Sequence, residues 1–177
     1  ARRLPAFVTP VLLFVNESDA LIRHAAQQVP GAWLQFHGDE SPAQCATLAR
    51  ELGRRWLRAA RIPSEPAPGE PAFDLLKYAQ DYQEAQAILL DAHVEGYGGG
   101  GKTFNWSQLS TNVNAHLVLS GGLNAANVTE GLRTLQHCGL SLGVDVSSGV
   151  EVAKGIKSPE KIAQFVAAVR AHDTLAA

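Results

Sequence analysis

Apolar residues come in short runs separated by segments of helical period, and the alternation continues along the whole chain. Val11-Leu12-Leu13-Phe14-Val15 reads as a buried strand, and residues 19–28 follow with helical spacing behind the caps Asn16 and Ser18. Ala32 to Gly38 is the next strand. Ser41-Pro42 opens a helix to about Leu52, its proline at the first helical position, where a missing N–H costs nothing. Residues 55–62 are strand-like, 63–71 form a proline-rich loop, and a helix is expected near 71–79. A strand over 87–92 follows. Beyond it come a short helix from Trp106 capped by Asn105, a strand over 116–120 and a helix from Asn124 to about Gln136. A strand over 140–146 and a final helix from Ser158-Pro159 to about Ala171 close the series.

Strands alternating with helices imply an α/β fold with a parallel sheet, and near-continuous apolar strands imply that both sheet faces are covered. A doubly wound open sheet and part of a (β/α)8 barrel both fit the six strand–helix units. A complete barrel has eight units and typically about 250 residues. The 177 residues suit one domain, with no linker or internal repeat.

Composition narrows the classes. Apolar residues make up 46% and charged residues 18%, as in a globular chain, and the net charge of −2 carries no basic block to attract nucleic acid or an anionic membrane. No apolar run reaches the roughly 18 residues of a membrane span, and no signal-peptide core is visible. Cys45 and Cys138 have no metal or CxxC spacing, the six histidines form no zinc-type pair, and both cysteines are expected to be buried or half-buried free thiols in a reducing cytoplasm.

The chemistry concentrates at strand ends. Strand side chains alternate between faces, so Leu34 and Phe36 face a helix layer while Gln35 and His37 point the other way. Asp91 lies opposite Leu90, and Asp145 and Ser147 lie opposite Val144 and Val146. In parallel α/β folds the C-terminal strand ends are where ligands bind. Asp91 suits general acid–base work there. Ser120-Gly121-Gly122 and Ser147-Ser148-Gly149 end consecutive strands and let backbone amides approach a phosphate.

Gly96 to Thr103 spells G-x-x-x-x-G-K-T, the phosphate-loop pattern of nucleotide hydrolases. That loop requires its Lys-Thr to open a helix, whereas a helix start is signalled only at Asn105. Four consecutive glycines, Gly98, Gly99, Gly100 and Gly101, read instead as a lid that ligand contacts hold in place.

Leu90-Asp91, Gly98 to Trp106, Phe14-Val15-Asn16, Gln35-Phe36-His37-Gly38, Leu119 to Leu123 and Asp145 to Glu151 together resemble phosphoribosylanthranilate isomerase over roughly residues 4–171. Asp145-Val146-Ser147-Ser148-Gly149-Val150-Glu151, with Gly155-Ile156-Lys157 after it, is the most specific of these stretches. The resemblance implies a (β/α)8 TIM barrel of which these residues supply the third to eighth units. It also implies an Amadori rearrangement in tryptophan biosynthesis, in which N-(5-phosphoribosyl)anthranilate becomes 1-(2-carboxyphenylamino)-1-deoxyribulose 5-phosphate. An acid protonates the ribose ring oxygen, a base removes the C2 proton, and no metal or redox cofactor is implied.

By the same resemblance Asp91 is the general acid, and Gln35, His37 and Asp145 line the substrate pocket. Gly121, Gly122, Ser147 and Ser148 hold the phosphate, and Gly98 to Gly101 form the lid. The expected partner is a small phosphosugar, in a monomer or homodimer. Gly100, Asn105 and Leu12 depart mildly from the family pattern. The larger departure is a Lys-Ile-Cys-Gly strand whose cysteine is the family's base, and a second unit supplying an arginine; neither is among these residues. Cys45 and Cys138 fall in or beside helices and do not replace that cysteine. The expectation is therefore an N-terminally incomplete barrel, inactive without the base. Two rivals remain at this level: the related aminoaldose phosphate isomerase of histidine biosynthesis, with Asp91 and Asp145 as its two carboxylates, and a non-catalytic phosphosugar-binding remnant.

Overall fold

The computed structural model describes residues 3–64, 71–92 and 103–176. Six strands form one sheet: β1 (Val11–Phe14), β2 (Trp33–Phe36), β3 (Trp56–Ile62), β4 (Ala87–Ala92), β5 (His116–Leu119) and β6 (Ser141–Val144). Every neighbouring pair is parallel, and spatial order follows chain order from β1 to β6. A doubly wound sheet reverses its strand order at a switch point. This sheet does not, so the barrel-like alternative is the one realised. Among the described residues β1 and β6 each pair on one side only.

Helices α1 (Asp19–Gln28), α2 (Pro42–Leu52), α3 (Leu75–Asp81), α4 (Val128–Leu135) and α5 (Pro159–Ala176) cover the outer face. Their starts follow capping chemistry. The Ser18 and Ser41 hydroxyls accept from the Leu21 and Gln44 amides, Asp74 accepts from Lys77 N, and Pro42 sits inside the first turn of α2. Gly53 ends α2 at φ +61°, with its N–H on the Ala49 and Arg50 carbonyls. α4 buries Val128, Gly131, Leu132 and Leu135, the i, i+3, i+4, i+7 stripe of one helical face. Under these helices lie Leu34, Phe36, Ile88, Leu90, Leu117 and Leu119, all fully buried. Among the described residues no helix is long and apolar enough to cross a membrane.

The structure corrects three boundaries and adds one element. The third helix starts at Leu75 rather than near 71, where Asp74 offers the cap. The helix expected from Asn124 starts at Val128, because Asn124 Oδ1 accepts from Ala126 N and Asn127 Oδ1 accepts from Asn124 N, which makes a turn first. The last sheet strand is shorter than 140–146, ending at Val144. A small antiparallel hairpin, β7 (Glu151–Ala153) with β8 (Ile156–Lys157), follows it and was not expected.

The inner face is sealed at its centre by Ala59, Ala87 and Leu89. At the edges it is open: Leu13, in register with Gln35 and so on the inner face, is 54% exposed.

Candidate active site

Asp91 stands near the end of β4, in register with Arg61 of β3. Its Oδ2 lies 2.8 Å from His37 Nε2, and His37 Nδ1 lies 3.1 Å from Gln35 Nε2. The sequence spacing explains the chain of contacts. Gln35 and His37 are two residues apart, so both project from the inner face, while Leu34 and Phe36 project outward into the core. With the Gln35 amide N–H on Nδ1, a neutral imidazole carries its proton on Nε2 and donates it to Asp91. With the amide turned over, its oxygen accepts from Nδ1–H and the ring can hold both protons. Either way His37 fixes one oxygen of Asp91, Oδ2.

The first glycine turn touches that acid. Gly121 has φ +77°, and a Cβ built there would stand 2.4 Å from Ala92 N and 2.7 Å from Asp91 Oδ1. Only glycine brings the turn so close. Gly122 follows at φ +66°, its carbonyl accepting from Asn127 Nδ2 at 3.0 Å. Gly121→Ala is expected to cost about 1–3 kcal/mol through backbone strain alone and to weaken substrate binding as well. Urea unfolding and KM measure the two effects, and an unchanged midpoint with unchanged KM contradicts the close approach.

The second turn packs on the first. A Cβ on Gly149 would meet the Leu123 carbonyl at 1.8 Å and Asn124 Cβ at 3.2 Å, so the stretch after β6 lies directly against the residues that follow the first glycine turn. It forms a single 3₁₀ turn, Ser148–Val150, preceded by Ser147. Lys157 of β8 donates to the Ser147 carbonyl at 2.8 Å and to its hydroxyl at 3.2 Å, and pairs with Glu151 Oε1 at 2.7 Å. The Lys157 hydrogen bond to Glu151, with one from the Gly155 amide, holds the Glu151 carboxyl below its ordinary range. The hairpin therefore braces the Ser147 turn and brings a cation beside it. Asp145 sits between the two turns, its Oδ2 accepting from Ser120 Oγ at 3.0 Å.

The structure thus gathers Gln35, His37 and Asp91, and groups Asp145, Gly121, Gly122, Ser147 and Ser148 around the adjoining turns. The lid residues Gly98, Gly99, Gly100 and Gly101 lie outside the described residues, as does most of the phosphate-loop pattern. Among the described residues no group of three or more His, Cys, Asp or Glu side chains could hold a metal ion.

Sequence reasoning missed Glu40 and Arg58. Arg58 lies on the outer face of β3, between Trp56 and Ala60, and its guanidinium sits 2.8 Å from Glu40 Oε2 with both side chains almost wholly buried, at 5% and 1% exposed. A charge among outward-facing apolar residues was the available signal. Lys157 stands in the sequence only as part of the Gly155-Ile156-Lys157 stretch, which carries no sign of its bonds to Ser147.

Both cysteines are buried, as expected. Burial pushes the Cys45 thiol up to about 12, and Tyr78 beside it also to about 12, likewise by burial. Cys45 is therefore a poor base. The folded chain keeps these protons at pH values where the unfolded chain has released them, so stability is expected to fall as pH climbs from 9.0 towards about 12. Unfolding titrations across that window check the sign, and stability that rises there contradicts it.

Three comparisons bear on this chain. The family model described as N-(5'phosphoribosyl)anthranilate (PRA) isomerase matches residues 3–168. An N-(5'-phosphoribosyl)anthranilate isomerase from Leptothrix cholodnii is 56% identical over 173 residues, covering 98% of this chain and 72% of the relative. One from Methylibium petroleiphilum is 53% identical, covering 98% and 74%. Among solved structures, the phosphoribosyl anthranilate isomerase from Thermotoga maritima superposes with a TM-score of 0.70 at 31% identity, covering 96% of this chain and 77% of that one. Another phosphoribosyl anthranilate isomerase structure, in complex with reduced 1-(o-carboxyphenylamino)-1-deoxyribulose 5-phosphate, gives 0.68 at 29%, covering 96% and 75%.

Proposed function

This chain belongs to the N-(5'-phosphoribosyl)anthranilate isomerase family, the isomerases of tryptophan biosynthesis, and we propose that Asp91 is the acid of its reaction. The substrate is an aminoaldose phosphate, and ring opening begins with a proton on the ribose ring oxygen. Asp91 Oδ1 faces the Gly121 turn while Oδ2 is tied to His37, so the carboxyl is held with one oxygen towards the hollow. That contact of acid with glycine turn is the observation that carries the reading. His37 and Gln35 orient the acid and line the pocket. Gly121, Gly122, Ser147 and Ser148 take the phosphate, with Lys157 adding positive charge beside Ser147. Asp145, held by Ser120, lies between the turns and contacts the sugar hydroxyls. The neighbour crystallised with a reduced product phosphate supports this ligand class.

The finer architectural reading is that the six described units correspond to the third to eighth of a (β/α)8 barrel. Its support is the sequential strand order and the two open edges, β1 and β6. The lid role of Gly98 to Gly101 is part of the same proposal.

Removal of the C2 proton needs a base, and the burial of Cys45 and Cys138 takes both of these thiols out of that role. Asp145 is the second carboxylate at the strand ends, which is what the histidine-pathway rival requires. A substrate panel separates the readings: conversion of N-(5-phosphoribosyl)anthranilate in preference to the histidine-pathway aminoaldose is expected. The reverse preference contradicts the proposal.

A further inference from the structure

We propose that Glu40 and Arg58 are positioning residues that act on Asp91 through His37, although neither lies in the hollow. This rests on the reading of Asp91 as the acid.

His37 follows the end of β2, where ladder bonds stop holding the chain, yet the backbone around it is fastened on every side. Arg58 Nη1 donates to the Phe36 carbonyl at 3.1 Å, and Nη2 donates to the Gly38 carbonyl at 2.9 Å. Glu40 Oε2 accepts from Gly38 N at 2.9 Å and from Arg58 Nη1 at 2.8 Å. Its Oε1 accepts from Asn16 N at 2.7 Å, which ties the same carboxylate to the loop after β1. His37 N itself donates to the Phe14 carbonyl at 2.9 Å. The residues on either side of His37 are thus gripped by one guanidinium and one carboxylate, across three strand ends.

The clamp is itself fixed. Tyr82 Oη donates to the Glu40 carbonyl at 2.9 Å, and the Arg58 guanidinium lies 4.7 Å from the Tyr82 ring centre. There is no slack at Gly38, where a Cβ would stand 2.3 Å from Asn16 Oδ1. A planar fork suits this task, because it reaches two carbonyls and a carboxylate at once, which an ammonium does not. Among the described residues, the arrangement reaches Asp91 directly through the His37 ring, 2.8 Å away.

The test is a double-mutant cycle. Arg58→Lys keeps the charge and loses the fork; Glu40→Gln keeps the volume and loses one acceptor. Each is measured for kcat and KM well below its own unfolding midpoint, alone and in a His37→Asn background. A displaced general acid costs roughly 10- to 100-fold in turnover, so kcat is expected to fall by that factor with KM nearly unchanged. In the His37→Asn background the same substitutions should add less than about twofold, because the route to Asp91 is already cut. A role in stability alone lowers the midpoint and leaves kcat of the folded variant at its normal value. That result, or equal losses in both backgrounds, overturns the proposal. Should Arg58→Lys not fold, Glu40→Gln carries the test. Asp91→Asn is run beside them: full kcat there sinks the reading underneath, whereas a dead Asp91→Asn with a normal Arg58→Lys sinks this proposal only.

Discussion

Asp91→Asn is expected to lower kcat by roughly 10² to 10⁴, the usual worth of a general acid, while affinity for a product analogue changes little. Asparagine keeps the size and the hydrogen bond to His37 but has no proton to give to the ribose ring oxygen. The Gly121 contact at Asp91 Oδ1 is steric and survives the exchange, so the turn stays in place. Ground-state binding through the phosphate turns is therefore retained, and the loss falls on the step that opens the ring. Steady-state kinetics with N-(5-phosphoribosyl)anthranilate, paired with calorimetric titration of the reduced product, separates the two quantities. A loss of affinity as large as the loss of kcat points to a binding role for Asp91 instead.

The second large effect is on stability. Glu40→Ala is expected to destabilise the fold by about 3–5 kcal/mol, because it leaves the Arg58 guanidinium buried without its counter-charge. The buried amide of Gly38 and the part-buried amide of Asn16 lose their acceptor in the same step. By contrast, Arg23 with Glu51, and Arg50 with Glu84, join exposed side chains across α1, α2 and the turn after α3. Exposed pairs of that kind are worth about 0–1 kcal/mol. Urea midpoints should rank the variants in that order, with Glu84→Ala close to the parent. A Glu40→Ala midpoint equal to the parent's contradicts the buried-pair account. Swapping both partners for apolar residues, often harmless at buried pairs, should not rescue this one. The Phe36 and Gly38 carbonyls and the Gly38 and Asn16 amides would still lack partners.

The central strands were legible because both sheet faces are covered there, which writes each as a run of apolar residues, and the edge strand β1 carries the same run although Val11 and Leu13 are exposed. Gln35, His37 and Asp91 were legible for the complementary reason: polar side chains stand on the face that alternation assigns to the sheet interior. Strand order was not legible. A local pattern says that a segment pairs, and leaves open with which neighbour, so the choice between a doubly wound sheet and a barrel-like one waited for the β1-to-β6 order. The start of α4 was misplaced because Asn124 is a good helix cap by type, yet its side chain closes a tight turn with Ala126 instead. The Glu40–Arg58 pair stayed hidden because its partners are 18 residues apart and lie on different elements. Periodicity marks Arg58 as out of place on an apolar face and has no means of finding what neutralises it. The β7–β8 hairpin is short and mostly exposed, and its role in bracing Ser147 depends on a lysine whose reach no pattern encodes.

The central claim is that one hollow joins the acid at the end of β4 to the two turns after β5 and β6. The most direct measurement is a backbone-amide NMR titration with reduced 1-(o-carboxyphenylamino)-1-deoxyribulose 5-phosphate. Saturable shifts are expected at Gly121, Gly122, Ser148 and Gly149 together with Asp91 and His37, with a loss of the turn shifts when the phosphate is removed from the ligand. Shifts confined to the exposed face of α5, or turn shifts without any at Asp91 and His37, would contradict it.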